Sequence, residues 1–250
     1  MNANVRDIIT TILGTAGFSA DETAQALGEA KDIAPTIWVK QREVETWLSN
    51  QNGTAYVEFR FHNSNYKTNL RGKHQAHNCA TALEIIARLS CGGRVTRAHI
   101  DRGLANVPLN GRFQTISKKP LVIFDTITTA QDMKNFVFAV DDYFGRATQK
   151  SLQSPTNLHP RPFKRLIICD VVFPELAIIK QNVTIIFTRP ELQTEYRRHY
   201  DRAVVKTMVM PFDKALPHAT ENFPEHKIFI IGNQELCKKV PLLIQDVAPQ

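Results

Sequence analysis

The chain has 250 residues, 43% of them hydrophobic, with 31 Lys and Arg against 24 Asp and Glu, which gives a net charge of +7. That length suits one large domain or two small ones, and the apolar content is that of a chain with a packed core rather than a disordered one. No apolar run reaches the roughly 20 residues that a membrane helix needs, so no membrane association is expected. The amino terminus "MNANVRDIITTIL" lacks a basic region followed by a long apolar one, which predicts no signal peptide and a cytoplasmic protein.

A positive balance attracts anions in general. Here the basic residues are scattered, as in Arg71/Lys73, Arg94/Arg97, Lys118/Lys119 and Arg197/Arg198. No aromatic residues interleave with them and no helix-turn-helix or finger spacing occurs, so the expected partner is a small anion and not nucleic acid. The four cysteines, Cys79, Cys91, Cys169 and Cys237, lie in apolar segments without a CxxC pair. They read as buried free thiols in a reducing compartment.

In chain order, "VRDIITTILGTAG" has helical spacing and stops at Gly17, and "SADETAQALGEA" opens with a capping box from Ser19 to Glu22. "VKQREVETWLSN" reads as a third helix. Asn52-Gly53 marks a turn before the alternating strand "TAYVEFRF", with "YKTNL" able to pair with it. "ATALEIIARLSCGG" places Ala82, Leu83, Ile86 and Leu89 at helical spacing and ends at Gly92-Gly93. "RAHIDRGLANV" is a shorter helix.

From about Arg112 the pattern changes. Five apolar runs, "LVIFD", "RLIICD", "VTIIFT", "VVKTMVM" and "KIFIIG", are β-branched and nearly continuous, as in strands buried on both faces. Helix-sized segments separate them: "TAQDMKNFVFAVDDYF", "FPELAIIKQ", "RPELQTEYRRHY" and "FDKALPHATENF". This alternation predicts an α/β fold with a mostly parallel sheet covered on both sides. Ligands of such sheets bind outside the carboxyl ends of the strands, where Asp125, Asp170 and Thr188 close three of the runs. "ATQKSLQSPTNLHPRP", residues 147–162, is poor in large apolar residues and reads as an exposed, mobile loop.

The sequence contains no GxxxxGK[ST], GxSxG, HExxH or GxGxxG. His74 and His77 are three apart, but no acidic or thiol ligand stands near to complete a site, so no metal is expected there. What remains is "LRGKHQAHNCATALEIIARL", followed by "GLANVPLNGRFQ" and then "PLVIFD". Read alone, His74, His77 and Asn78 cap or pack a helix start, Arg112 makes a surface ion pair, and Asp125 caps a helix after its strand.

Together these segments resemble the folylpolyglutamate synthase branch of the Mur ligase superfamily. Its pattern is L-x-G-x-H-Q-x-x-N-A-x-x-A-L, then a helix ending in G-L, then P-G-R, then an apolar strand ending in D-G-A-H-N-P. Leu70, Gly72, His74, Gln75, Asn78, Ala82 and Leu83 match, with Cys79 in place of the first Ala. Gly103-Leu104, Gly111-Arg112 and Asp125 follow in the same order, and "KIFIIGNQELCKKV" is similar to the last strand and helix. The resemblance covers residues 54 to 244.

It implies a shortened central-domain remnant over residues 1–110 and a Rossmann-like carboxy-terminal domain over 111–250. The implied chemistry is ATP-dependent ligation: a folate carboxylate becomes an acyl phosphate, and the amino group of glutamate displaces the phosphate. The resemblance puts Gln75 and Asn78 beside adenine with His74 near them, sends Arg112 to the phosphates, and has Asp125 face the same cleft. The chain departs from the pattern in two places. The nucleotide loop of the type GTNGKGS is missing, together with the residues that hold magnesium, and only about fifty residues stand upstream of the resemblance. "DTITTA" replaces D-G-A-H-N-P. Phosphoryl transfer depends on such a loop and its metal. The expectation is therefore a truncated chain without a magnesium site, inactive or weakly active alone. Its partners would be a nucleotide or folate, and a protein subunit able to supply the loop. A non-catalytic binding or subunit protein is the alternative.

Overall fold

The first helix begins where a side chain satisfies its free N–H groups. Asn2 accepts from the N–H of Val5, and α1 runs Ala3–Thr15, burying Val5, Ile8, Ile9, Ile12 and Leu13 at a spacing of three and four. The predicted capping box forms: the Ser19 hydroxyl accepts from Glu22 N–H, the Glu22 carboxylate accepts from Ser19 N–H, and α2 runs Ala20–Ile33. The computed structural model describes residues 1–51, 54–109, 111–145, 164–178, 183–199, 205–233 and 235–236. They fall into two units, Met1–Pro108 and Leu109–Gln250.

The predicted third helix, "VKQREVETWLSN", is not one. A single 3-10 turn at Gln41–Glu43 leads into strand β1, Glu45–Gln51. β1 pairs antiparallel with β2, Thr54–Phe61, which pairs with β3, Ser64–Thr68. The helical spacing loses to cross-strand partners: Leu48 stands opposite Val57 and Trp47 opposite Glu58, where the indole N–H donates to the carboxylate at 2.8 Å. Val57, Phe59 and Phe61 are buried. Helix α3, His74–Arg88, contributes Ala76, Cys79, Ala80, Leu83 and Ile86 to the same unit's core. Helix α4, Arg97–Ala105, lies against α1, with Leu104 fully buried.

The second unit is a six-stranded sheet. Its strands are β4 (Gln114–Lys118), β5 (Leu121–Thr126), β6 (Arg165–Cys169), β7 (Val183–Phe187), β8 (Lys206–Val209) and β9 (Lys227–Gly232). Their order is β4-β5-β9-β6-β7-β8, and every pair is parallel except β4 with β5. β4 is polar, which hid it in the sequence. Its partners are helices α5 (Ala130–Val140), α6 (Pro190–His199) and α7 (Phe212–Asn222).

Successive strand residues go to opposite faces. Ile123, Ile167, Ile185 and Phe229 pack with Phe136 of α5 and Tyr196 of α6, while Phe124, Ile168, Ile186 and Ile230 pack with Leu216 of α7. Both faces are thus covered, which accounts for the continuous apolar runs. The segment "FPELAIIKQ" forms a 3-10 turn at Pro174–Ile178 rather than a helix over its described part. The stretch 147–162, expected to be a loop, lies outside the described residues, as do Cys237 and most of the expected last helix.

Gly103, matched to the G-L of the resemblance, has a packing role in α4. A Cβ there would stand 2.6 Å from Cγ1 and 2.8 Å from Cα of Ile12. The backbone of α1 cannot yield as a side-chain tip would. Gly103→Ala is expected to destabilise the unit by about 1–3 kcal/mol although Ala is the better helix former. Gly28 in α2 is exposed with nothing within 4 Å of such a Cβ, so Gly28→Ala is expected to stabilise by about 0.5–1 kcal/mol. Urea unfolding of the two variants checks the opposite signs.

Candidate functional site

Gly72 takes φ +96°, a conformation that favours glycine, and this turns the chain into α3. The first turns close through the backbone: Gln75 N–H donates to Gly72 O at 2.9 Å and Ala76 N–H to Lys73 O at 3.1 Å. The N-cap residue of α3, Lys73, makes no side-chain cap bond.

Gln75 and Asn78 bond to each other. The Gln75 side-chain carbonyl, buried, accepts from the Asn78 amide at 2.9 Å. Asn78 in turn accepts from the Asn2 amide at 3.3 Å, and Asn2 accepts the Val5 N–H at 2.9 Å. The result is a row of three amides that ties the start of α3 to the start of α1. Sequence reading identified neither the Asn2 cap nor its bond to Asn78. His74 is half-buried at the first position of α3. His77 is half-buried too, and its Nδ1 is enclosed without a hydrogen-bond partner. Cys79 is fully buried, and burial pushes its thiol up to about 12, so it is an inert core residue. Cys169 behaves likewise, whereas Cys91 is only partly buried.

In the second unit, Gly111, Arg112 and Phe113 make a tight turn. Gly111 has φ +65° and Phe113 φ +45°. The end of β5 holds it twice: Thr126 N–H donates to Gly111 O at 2.7 Å, and the Asp125 carboxylate accepts from Phe113 N–H at 3.1 Å. Asp125 does not cap the following helix. That position is Thr129, whose hydroxyl accepts from Asp132 N–H, while the Asp132 carboxylate accepts from Thr128 and Thr129. Asp125 is partly exposed, yet loss of water around its carboxyl pushes its pKa up to about 7, against the Phe113 N–H and the nearby Arg112 charge, which favour the carboxylate. Asp170, at the end of β6, accepts from the Thr188 hydroxyl, and Arg189 lies 3.6 Å from the same carboxylate. Arg197 and Arg198 are exposed on α6, as expected of a solvated helix face.

The structure thus brings Gln75 and Asn78 together in the first unit, and Arg112 and Asp125 together in the second. Side-chain amides offer both a donor and an acceptor, the pattern that suits the edge of adenine. Arg112 offers a fork of donors that suits phosphate. Among the described residues, no three His, Cys, Asp or Glu side chains stand together as a metal cage, and no helix is long and apolar enough to cross a membrane.

No family model matches the sequence, and no curated protein matches it. Solved structures do. The folylpolyglutamate synthetase from Lactobacillus casei superposes with a TM-score of 0.54 at 15% identity, over 89% of this chain and 52% of that one. The Mycobacterium tuberculosis folylpolyglutamate synthase complexed with ADP and AMPPCP gives 0.56 at 16%, over 92% and 54%. The folylpolyglutamate synthase from Thermotoga maritima gives 0.54 at 13%, over 93% and 54%. The chain has the fold found in these enzymes and spans about half their length.

The raised Asp125 pKa has a defined sign. Between its ordinary 3.8 and about 7, the native state keeps a proton that the unfolded state has released. Stability then falls as pH rises through that window, by up to about 1.4 kcal/mol per pH unit, and levels off above it. Asp125→Asn keeps an acceptor for Phe113 N–H and removes the titration. Urea midpoints at pH 5 and pH 8 are expected to differ less in the variant than in the parent, and identical profiles would count against the assignment.

Proposed function

We propose that this chain is a folylpolyglutamate synthase-like protein of the Mur ligase superfamily. In this reading residues 1–110 are a shortened central domain and residues 111–250 the Rossmann-like carboxy-terminal domain. The 250 residues taken alone bind an adenine nucleotide weakly and do not carry out ligation. The observation that carries it is the pairing of buried Gln75 with Asn78 at the start of α3, in a chain of this fold.

Each residue then has a task it can perform. Gln75 and Asn78 present amide groups to the adenine edge, with His74 beside them. Arg112 supplies charge to the phosphates, and Asp125 fixes the turn that carries Arg112 by holding the N–H of the next residue. In ligation of this type a carboxylate oxygen attacks the γ-phosphorus, ADP leaves, and an amine nitrogen displaces phosphate from the acyl carbon. The negative charge that develops at phosphorus needs donors and a metal. These 250 residues have no GxxxxGK[ST] loop to supply them. We assign no magnesium ligands to the chain.

A non-catalytic relative that binds a nucleotide or folate is the second reading. It is favoured by the Thr129–Asp132 capping box, because residues that follow Asp125 in the catalytic pattern here serve a helix start. A separate protein subunit carrying the nucleotide loop would restore the first reading.

The purified chain, given ATP, folate and glutamate, is expected to form no ADP above the ATP-only background. ADP formation that requires both co-substrates and disappears in Arg112→Ala would overturn this. In an amide NMR titration, ATP is expected to shift Gln75, Asn78 and Arg112 with a Kd in the millimolar range, about −4 kcal/mol. Each charge-assisted contact that is missing costs about 1.5–3 kcal/mol. Asn78→Ala is expected to weaken binding at least threefold. Shifts confined to distant lysines would leave Gln75 and Asn78 as packing elements.

A further inference from the structure

The second unit carries a recess away from the carboxyl ends of its strands. At the amino-terminal end of the parallel strands, the β4–β5 turn and the segment entering β9 line an open recess of about 390 Å³. Leu121 opens β5 and Lys227 opens β9, so this recess lies about 13 Å along the strands from Asp125. Lys118, Lys119, Thr220, Glu225, His226 and Lys227 are among its walls.

The charge in it is one-sided. Glu225 is the acidic residue of the wall, and the Lys164 ammonium is already bound to it at 3.1 Å. Among the described residues neither Lys118 nor Lys119 meets a carboxylate, and both are exposed. Nδ1 of His226 is enclosed without a hydrogen-bond partner, a position that costs stability unless something supplies one. Burial and then the Lys164 charge hold the His226 pKa below its ordinary value, and burial and then Arg165 hold that of Lys227 below its own. Burial is the larger cause at both groups, and the neighbouring cations add to it in the direction that an anion would oppose. Thr220 adds a hydroxyl able to donate or accept.

We propose that this recess is a second ligand site, for a small organic molecule carrying a phosphate group, held by Lys118 and Lys119 with His226 completing its hydrogen bonds. The volume selects an organic phosphate over a bare ion, because it falls within the range of small-molecule sites. Two flexible ammonium groups and an imidazole suit a phosphate that presents three oxygens in different directions. The site is independent of the nucleotide reading above, since it shares no residue with it.

The test is an amide and imidazole NMR titration of the full chain at constant ionic strength, with inorganic phosphate, with a hexose phosphate and with citrate. Saturable shifts at Lys118, Lys119, Thr220 and His226 with the hexose phosphate, at least tenfold tighter than with inorganic phosphate, are expected. The doubly substituted Lys118→Ala, Lys119→Ala chain is expected to lose that affinity at least tenfold. Its exposed substitutions leave the fold intact, which an unchanged thermal unfolding curve verifies. Equal, weak shifts with all three anions would mean an adventitious ion only and would overturn the proposal. Tighter binding of citrate, or shifts at Gln75 and Asn78 in place of the recess, would overturn it as well.

Discussion

The turn at Gly111–Phe113 governs the second unit. Phe113 sits at φ +45°, a region that costs a non-glycine residue of order 1 kcal/mol or more. Two hydrogen bonds from the end of β5 hold it there. What it gains is burial: its ring stands 5.6–6.5 Å from those of Phe136, Tyr143, Phe144 and Phe229, which brings together α5, the turn after it and β9. Released from that turn, Phe113 would leave the aromatic core and β4 would lose its approach to β5. Arg112 takes its place in space from the same two bonds. The position of the candidate phosphate ligand is thus a by-product of core packing.

Asp125 is caught between two demands. As a hydrogen-bond acceptor for Phe113 N–H it must stay in the crowded strand end, and there it loses water. Burial wins over the N–H and over Arg112, so the carboxyl gives up its proton only near neutrality. The same residue type at the end of β6 has a different solution. Asp170 takes the Thr188 hydroxyl and lies close to Arg189. Strand ends of this sheet thus give a carboxylate different partners, and those of Asp125 follow from the turn that it holds.

The long apolar runs made the parallel sheet legible, because strands covered on both faces must be apolar at every position. Capped helices were legible for a similar reason: Ser19 and Glu22 announce a cap that needs no tertiary context. Residues 39–50 were misread because the decisive information lies elsewhere. Trp47 and Leu48 are strand residues only when Glu58 and Val57 stand opposite them. β4 escaped notice because an edge strand can be polar and still pair. At the candidate site, the residue types at 75, 78, 112 and 125 marked the segment, but which of them touch depends on packing that spacing does not contain. Asn2 is the clearest case, since 76 residues separate it from Asn78.

Sequence resemblance in this chain mixes two kinds of residue. Gly103 is demanded by the approach of α4 to Ile12, and Gly111 and Asp125 by the turn at Phe113, so these positions would be retained whether or not the chain turns over a substrate. Leu70, Ala82 and Leu83 are core residues of the same kind. Gln75 and Asn78 differ. An apolar residue of similar size at 75 would fill the same buried volume without needing a partner, and a polar pair that is merely tolerated usually yields to such a replacement. The amide row binds the starts of α1 and α3, but α1 already has Asn2 as its cap, and five apolar side chains of α1 are buried. The energetic need for a glutamine there is therefore small. The two amides at the start of α3 are thus the matched residues that core packing explains least.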